Sequence, residues 1–162
     1  MSITIDVSGN TYSIRDIKEK DVDDRYVNLL SQLSHVDTVC INKDNTKNFL
    51  DTLNSNHKIF VIEDLNTKHI IGSGTVLIEQ KLFHNYGKVG HIEDVIIDYG
   101  YKKHGLGKLL VEYLSDYCIV KHNCYKCILN CQRTETLFYR KCGYNYVDAM
   151  CLYNNINTMH RS

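Results

Sequence analysis

The chain reads as a mixed α/β fold, a sheet with helices on its faces, and three observations predict it. Strand-like apolar runs dominate the part of the chain before residue 98. Residues 89–111, VGHIEDVIIDYGYKKHGLGKLLV, then pass from an apolar run through a glycine loop into an amphipathic helix. The rest alternates helix, strand, short helix and strand, which gives helices on both sides of a sheet without the order of a doubly wound dinucleotide fold.

Residues 3–14 read as a first strand, with Tyr12 and Ile14 pointing one way. A helix follows near Asp21, because Val22, Tyr26, Leu29, Leu30 and Leu33 recur at helical spacing. Asp21, Asp23 and Asp24 suit its electropositive start. A shorter helix is predicted over residues 44–53, with Phe49, Leu50 and Leu53 inside. Residues 58–63 and 70–80 read as strands around a turn at 66–68, an antiparallel pair loosened by Gly72 and Gly74. Residues 82–88 connect to the central strand, where Val89, Ile92, Val95, Ile96 and Ile97 favour extended backbone. From Leu106 the apolar positions 106, 109, 110, 113, 114 and 117 keep a 3.6-residue period. Residues 124–131 read as a strand, Thr134 as the cap of a short helix through Phe138 and Tyr139, Gly143 as its stop, and residues 144–153 as a last strand. No linker, repeat or low-complexity block interrupts the chain, so residues 1–162 are expected to form a single domain.

Lys and Arg total 19 and Asp and Glu total 19, a formal net charge of zero. That balance argues against a general affinity for nucleic acid or for membrane surfaces. Neither a secretory apolar region at the start nor an apolar run long enough to span a bilayer is present in the sequence, so a cytoplasmic protein is expected. Seven cysteines and no proline or tryptophan complete the picture. An odd cysteine count in such a chain speaks against a disulfide scaffold. Cys124, Cys127 and Cys131 have spacing that suggests a metal, but a strand there would send Cys124 and Cys127 to opposite faces and no second pair stands at ligand spacing. Buried or reactive free thiols are expected instead, and no metal.

The loop at 102–108 carries its own chemistry. Gly105 and Gly107 allow close backbone approach, and the first-turn amides of the helix are unpaired donors beside a partial positive charge. Lys102, Lys103, His104 and Lys108 add cations around them. A pyrophosphate fits such a seat. The pattern is neither G-x-G-x-x-G nor a P-loop, and a plain helix start with a solvated positive face reads equally from these residues alone.

Four stretches carry a resemblance: YVNLLSQLSHV at 26–36, IEQKLFHNYGKVGHIEDVII at 78–97, HGLGKLLVEYL at 104–114, and CYKCILNC with LFYRKCGY across 124–144. Together they resemble the GNAT superfamily of N-acetyltransferases and, within it, the glucosamine 6-phosphate N-acetyltransferase family. The glycine loop supports the superfamily; the run from Lys81 to Val95 supports the narrower family. The resemblance implies a mixed, mostly antiparallel central sheet flanked by helices and a homodimer. It also implies transfer of acetyl from acetyl-CoA to the 2-amino group of glucosamine 6-phosphate, for UDP-N-acetylglucosamine synthesis.

Residue roles follow from the same resemblance. The backbone of Val95, Ile96 and Ile97 would pair with the pantetheine arm, one amide polarising the acetyl carbonyl. Lys102, Lys103, His104, Gly105, Leu106, Gly107 and Lys108 would hold the CoA pyrophosphate. Tyr139 would assist the departing thiolate, with Glu135 beside the cofactor. Glu93 is expected to accept or orient the ammonium proton. Ser34, Lys81, His84, Asp94, Lys126 and Asn130 would meet the amino-sugar phosphate. Tyr139 also reads as a packing residue, Lys81 and Lys126 as solvated cations, and His91 as a satisfied structural histidine. Three departures from the family pattern stand out: Asn130 at an often acidic position, Glu135 in place of an asparagine, and Tyr153 where a basic residue often stands, leaving Lys81, Lys126 or Arg161 to compensate. They keep two alternatives open, a different small amine as acceptor and a catalytically weak acyl-CoA or sugar-phosphate binder.

Overall fold

Ser8 and Gly9 take positive φ (52° and 82°), the two-residue turn whose twist suits antiparallel strands. They divide the predicted first strand into β1 (Ser2–Val7) and β2 (Asn10–Asp16), paired from Ser2↔Arg15 to Val7↔Asn10. The computed structural model describes residues 2–37, 41–147 and 150. Contacts divide the chain into a unit over residues 1–129 and another from Asn130 onward.

In the first unit six strands lie in sequence order, adding β3 (His57–Asp64), β4 (Ile70–Gln80), β5 (Lys88–Ile97) and β6 (Cys124–Leu129). Neighbours from β1 to β5 run antiparallel, while β5 and β6 are parallel. The expected mixed, mostly antiparallel sheet is therefore present. Helix α1 (Asp24–Ser31) begins later than the sequence suggested, with Asp23 accepting from the Arg25 and Tyr26 amides. Asp21 is withdrawn from the helix because Arg15 claims it: Nη1 and Nη2 donate at 2.6 and 2.8 Å, and Arg15 Nε donates to Glu63 at 2.8 Å. Helix α2 (Lys43–Asp51) starts at an Asn42 cap. Its side chains do not enter the core as expected; Phe49 is 48% exposed, and Leu50 and Leu53 are half-buried.

The core lies where α4 (Leu106–Asp116) covers the sheet. Of its predicted stripe, Leu106, Leu110, Leu114 and Tyr117 are buried and Leu109 and Tyr113 half-buried; Val111, outside that stripe, joins them in the core with Phe60, Ile62, Val76, Val89 and Ile92. Full burial of each such side chain stabilises by about 1.5–3 kcal/mol. After α4 the chain loosens into a π-helical turn, Tyr117–Lys121. Tyr117 stacks edge-on to Phe60 at 4.9 Å, and Cys118 fits under β5 where Gly90 leaves room. A Cβ on Gly90 would lie 2.4 Å from Cys118 Sγ.

The second unit contains a turn at Arg133–Glu135 and α5 (Thr136–Lys141). Thr134 does not cap that helix; the Gln132 amide donates to the Glu135 carboxylate at 3.3 Å at the start of the turn. Gly143, at φ 90°, ends the helix as anticipated. Residues 144–147 form no strand, and most of the remaining span of the expected last strand lies outside the described residues. The preceding strand also stops early, at Leu129.

Candidate active site

The centre of β5 departs from regular pairing. Gly72 and Ser73 oppose Ile97 and Ile96, but Thr75 opposes Glu93, so Asp94 and Val95 face Gly74 alone. This is a β-bulge, and Asp94 takes it up with φ 53°, a conformation costly for a residue with a Cβ. Bulges re-aim side chains and release backbone groups from the ladder. A regular strand would send the adjacent Glu93 and Asp94 to opposite faces; here the pair sits at the edge of that irregularity.

A second irregularity lies on the opposite edge of the same strand. The parallel ladder to β6 ends at Ile92↔Leu129, while β5 continues to Ile97. From Glu93 to Ile97 the backbone groups on that edge lie beyond the β6 ladder. They form the extended edge onto which an amide-bearing arm could add as a strand does. Val95 is half-buried, and Ile96 and Ile97 are buried, so their side chains pack while the β6-facing main chain has no ladder partner among the described residues.

The glycine loop fits an anion. Gly105, at φ 80°, starts α4, and no side chain caps it. A Cβ there would meet nothing within 4 Å, so its conformation rather than crowding calls for glycine. The first-turn amides of Leu106, Gly107 and Lys108 lack helical partners by position. Lys102, Lys103, His104 and Lys108 are all exposed around them. Lys102 Nζ lies 3.9 Å from the Tyr99 ring centroid, and Lys108 pairs with Glu112 at 3.5 Å. The connector ahead of the loop is held by Gln32, whose Nε2 donates to Asp98 at 3.0 Å and whose Oε1 accepts from the Tyr99 amide at 3.1 Å.

Glu93 is half-buried, and burial followed by the neighbouring Asp94 charge pushes its carboxyl above the usual range, with His91 pulling the other way. Such a carboxylate is a better proton acceptor near neutrality. Asp94 lines a cavity of about 490 Å³ between α1, α2 and the sheet. Most of that wall is apolar, including Ile17, Val22, Leu30, Val36, Leu50 and Ile59. Ser34, Ser73, Thr75 and Asp94 supply polar groups, and Tyr26 and Ser73 share a buried hydroxyl contact of 2.9 Å.

The phosphate candidates gather at the other end of β5. His84 stacks on Tyr125 at 4.3 Å, and Lys126 Nζ lies 5.8 Å from the same ring. Lys81 lies 5.8 Å from the Phe83 ring centroid and pairs with Glu79. His91 meets Glu79 at 3.0 Å, the satisfied histidine expected. Lys81 and then His91 lower the Glu79 pKa. His84 and Asn85 take left-handed φ in the short turn α3 (Phe83–Tyr86). Sequence reasoning missed Glu79, Gln32, Ser73 and Thr75. Leu77 and Glu79 share one face of β4, so no local pattern singles out Glu79.

Asn130, Glu135 and Tyr139 belong to the second unit. Glu135 begins the turn before α5, and Tyr139 lies half-buried on α5, its ring 6.3 Å from that of Tyr144. Tyr153 and Arg161 lie outside the described residues.

The cysteine reading needs one correction. The β5–β6 register slips between Lys88 and Val89, so alternation along β6 is broken and Cys124 and Cys127 both interact with Cys118 instead of diverging. The Cys127 contact, then burial, pushes the Cys118 thiol far up, which makes it a packing group and not a nucleophile. Among the described residues no three His, Cys, Asp or Glu converge as a metal site, and no helix is long and apolar enough to cross a membrane.

The profile of the acetyltransferase (GNAT) family matches residues 26–144. Glucosamine 6-phosphate N-acetyltransferase from Arabidopsis thaliana is 37% identical over 134 residues, covering 82% of this chain and 89% of that protein. Glucosamine 6-phosphate N-acetyltransferase 1 from Oryza sativa subsp. japonica is 34% identical over 137 residues, 84% of this chain and 82% of its own length. The crystal structure of the Arabidopsis thaliana glucosamine-6-phosphate N-acetyltransferase superposes with a TM-score of 0.83 at 33% identity, covering 89% of this chain and 98% of that one.

Proposed function

This chain belongs to the acetyltransferase (GNAT) family, and on that premise we propose that it acetylates the 2-amino group of D-glucosamine 6-phosphate. Acetyl-CoA is the donor, and N-acetyl-D-glucosamine 6-phosphate and CoA are the products. The observation that carries the reading is the bulged β5, whose edge outlasts its partner strand, together with the uncapped start of α4. One offers an extended main chain to the amides of pantetheine; the other offers free amides and lysines to the pyrophosphate. The substrate class rests on the relatives named above and on the cluster of Lys81, His84 and Lys126.

The reaction needs a neutral amine, a polarised thioester carbonyl and a stabilised thiolate. Glu93 accepts the ammonium proton, directly or through water. A β5 amide near Val95 offsets the charge that develops on the carbonyl oxygen. Tyr139 donates to the leaving sulfur. Holding both substrates along one strand supplies a large share of the rate gain, because orientation replaces a bimolecular encounter. The working form is a cytoplasmic homodimer, and the product feeds the synthesis of UDP-N-acetylglucosamine.

Glu79 favours a second reading. It already neutralises Lys81, so a sugar phosphate must compete for that cation. A small amine without phosphate avoids that competition. The test is CoA thiol release from acetyl-CoA with glucosamine 6-phosphate, glucosamine, a polyamine and no amine. Release confined to the phosphorylated sugar, with matching N-acetyl product, supports the first reading. Release with another amine and none with glucosamine 6-phosphate replaces it.

A further inference from the structure

The cavity beside the bulge is more apolar than an amino-sugar phosphate requires. Among the described residues its wall holds no Lys, Arg or His, and its single charged group is the Asp94 carboxylate. A phosphate dianion finds no counter-charge there, and the cations that suit it stand at the start of β5, around Tyr125 and Phe83. The cavity nevertheless reaches the reacting backbone, since Ser73, Thr75 and Asp94 from both strands of the bulge line it. Its volume of about 490 Å³ far exceeds what an acetyl methyl fills; that group is about the size of one water, ~30 Å³ in the liquid.

We propose that this cavity receives the acyl chain of CoA thioesters longer than acetyl-CoA, so that the protein is an N-acyltransferase of relaxed chain length. The inference rests on the acyl-CoA reading of β5 given above. The chain enters at the bulge, where the thioester carbonyl is held, and runs between α1 and α2 along Leu30, Leu33 and Phe49. The chemistry is unchanged. The acyl carbon forms a C–N bond to the amine as its C–S bond breaks. The amine proton goes to the base, and the sulfur leaves as CoA thiolate and takes up a proton.

The test titrates the whole protein with acetyl-, propionyl-, butyryl- and hexanoyl-CoA without acceptor, then identifies the N-acyl products by mass. The dissociation constant is expected to fall about fourfold for each methylene buried, through butyryl at least. Leu33→Trp and Phe49→Trp fill the cavity at positions 44% and 48% exposed, where a larger ring does not strain the core. Each variant should keep acetyl-CoA affinity and lose the gain with chain length. A dissociation constant that is flat or rises with chain length, in protein that binds acetyl-CoA, overturns the inference and leaves the donor site intact. A gain with chain length that survives both tryptophans also overturns it. Preference for an apolar amine with no gain from longer acyl chains would assign the cavity to the acceptor instead. Failure to bind acetyl-CoA at all would remove the donor reading and this inference together.

Discussion

Replacing Gly90 by alanine should loosen the junction between β5 and the end of α4. The new methyl would lie 2.4 Å from Cys118 Sγ and 2.5 Å from Cys118 Cβ, and Cys118 is 0% exposed. Carbon and sulfur atoms need close to 3.5–4 Å, so the turn carrying Cys118 must retreat by about 1 Å. Overpacking of this kind costs about 1–3 kcal/mol. Stiffening of the unfolded chain returns about 0.4–1 kcal/mol, leaving a net loss centred on about 1.3 kcal/mol within a span of about 0–2.6 kcal/mol. For a chain of this size the central value lowers Tm by about 3–5 °C. Thermal and urea melts measure it, and a cycle with Cys118→Gly isolates the cause. Removing the Cys118 side chain should make the double variant more stable than the sum of the single changes predicts, by about 1 kcal/mol or more. An unchanged Tm in Gly90→Ala, or strict additivity in the cycle, would refute the packing argument.

Three further outcomes are expected. Glu93→Gln should lower kcat by about 10²–10⁴-fold. Glu93 acts as the ionised form and its pKa is raised, so the wild-type rate climbs with pH through a limb above the ordinary carboxylate range; Asp94→Asn should move that limb to lower pH and His91→Gln to higher pH in steady-state profiles. Tyr139→Phe should cut kcat by about 10²-fold with little change in the KM for acetyl-CoA, as measured by thiol release. Glu79→Gln, which frees Lys81, should lower the KM for the phosphorylated sugar by about two- to fivefold, and Lys81→Ala should raise it by a similar factor.

The glycine loop and α4 were legible in the sequence because local rules build them. The stripe from Leu106 to Leu114 and a glycine at the helix start predict α4 and its uncapped first turn without reference to the rest of the chain. The bulge was not legible. Glu93 and Asp94 look like ordinary alternation, and nothing local announces that Asp94 adopts φ 53°; it accompanies the mismatch of two β5 residues, Asp94 and Val95, against the single Gly74 of β4. The division at Ser8 and Gly9 is a local signal passed over: Ser8-Gly9-Asn10 is a turn sequence, and a single-strand reading runs straight through it. Glu79 acquires its meaning from Lys81 and His91, and His91 comes from the next strand. Phe49 looked like core because α2 has a helical period, but α2 lines a cavity instead of packing shut.

The unequal lengths of β5 and β6 have a cost as well as a use. On the β6-facing edge, main-chain donors and acceptors beyond Ile92 have no ladder partner among the described residues. A thioester that lies along them hides a sticky border, so saturation should raise the melting temperature by mass action and also suppress edge-to-edge association. Starved of donor, the same border is open to the strand of another chain. The solubility of this protein should therefore follow the acyl-CoA supply of its surroundings, with turbidity after dialysis reversed by adding the thioester back.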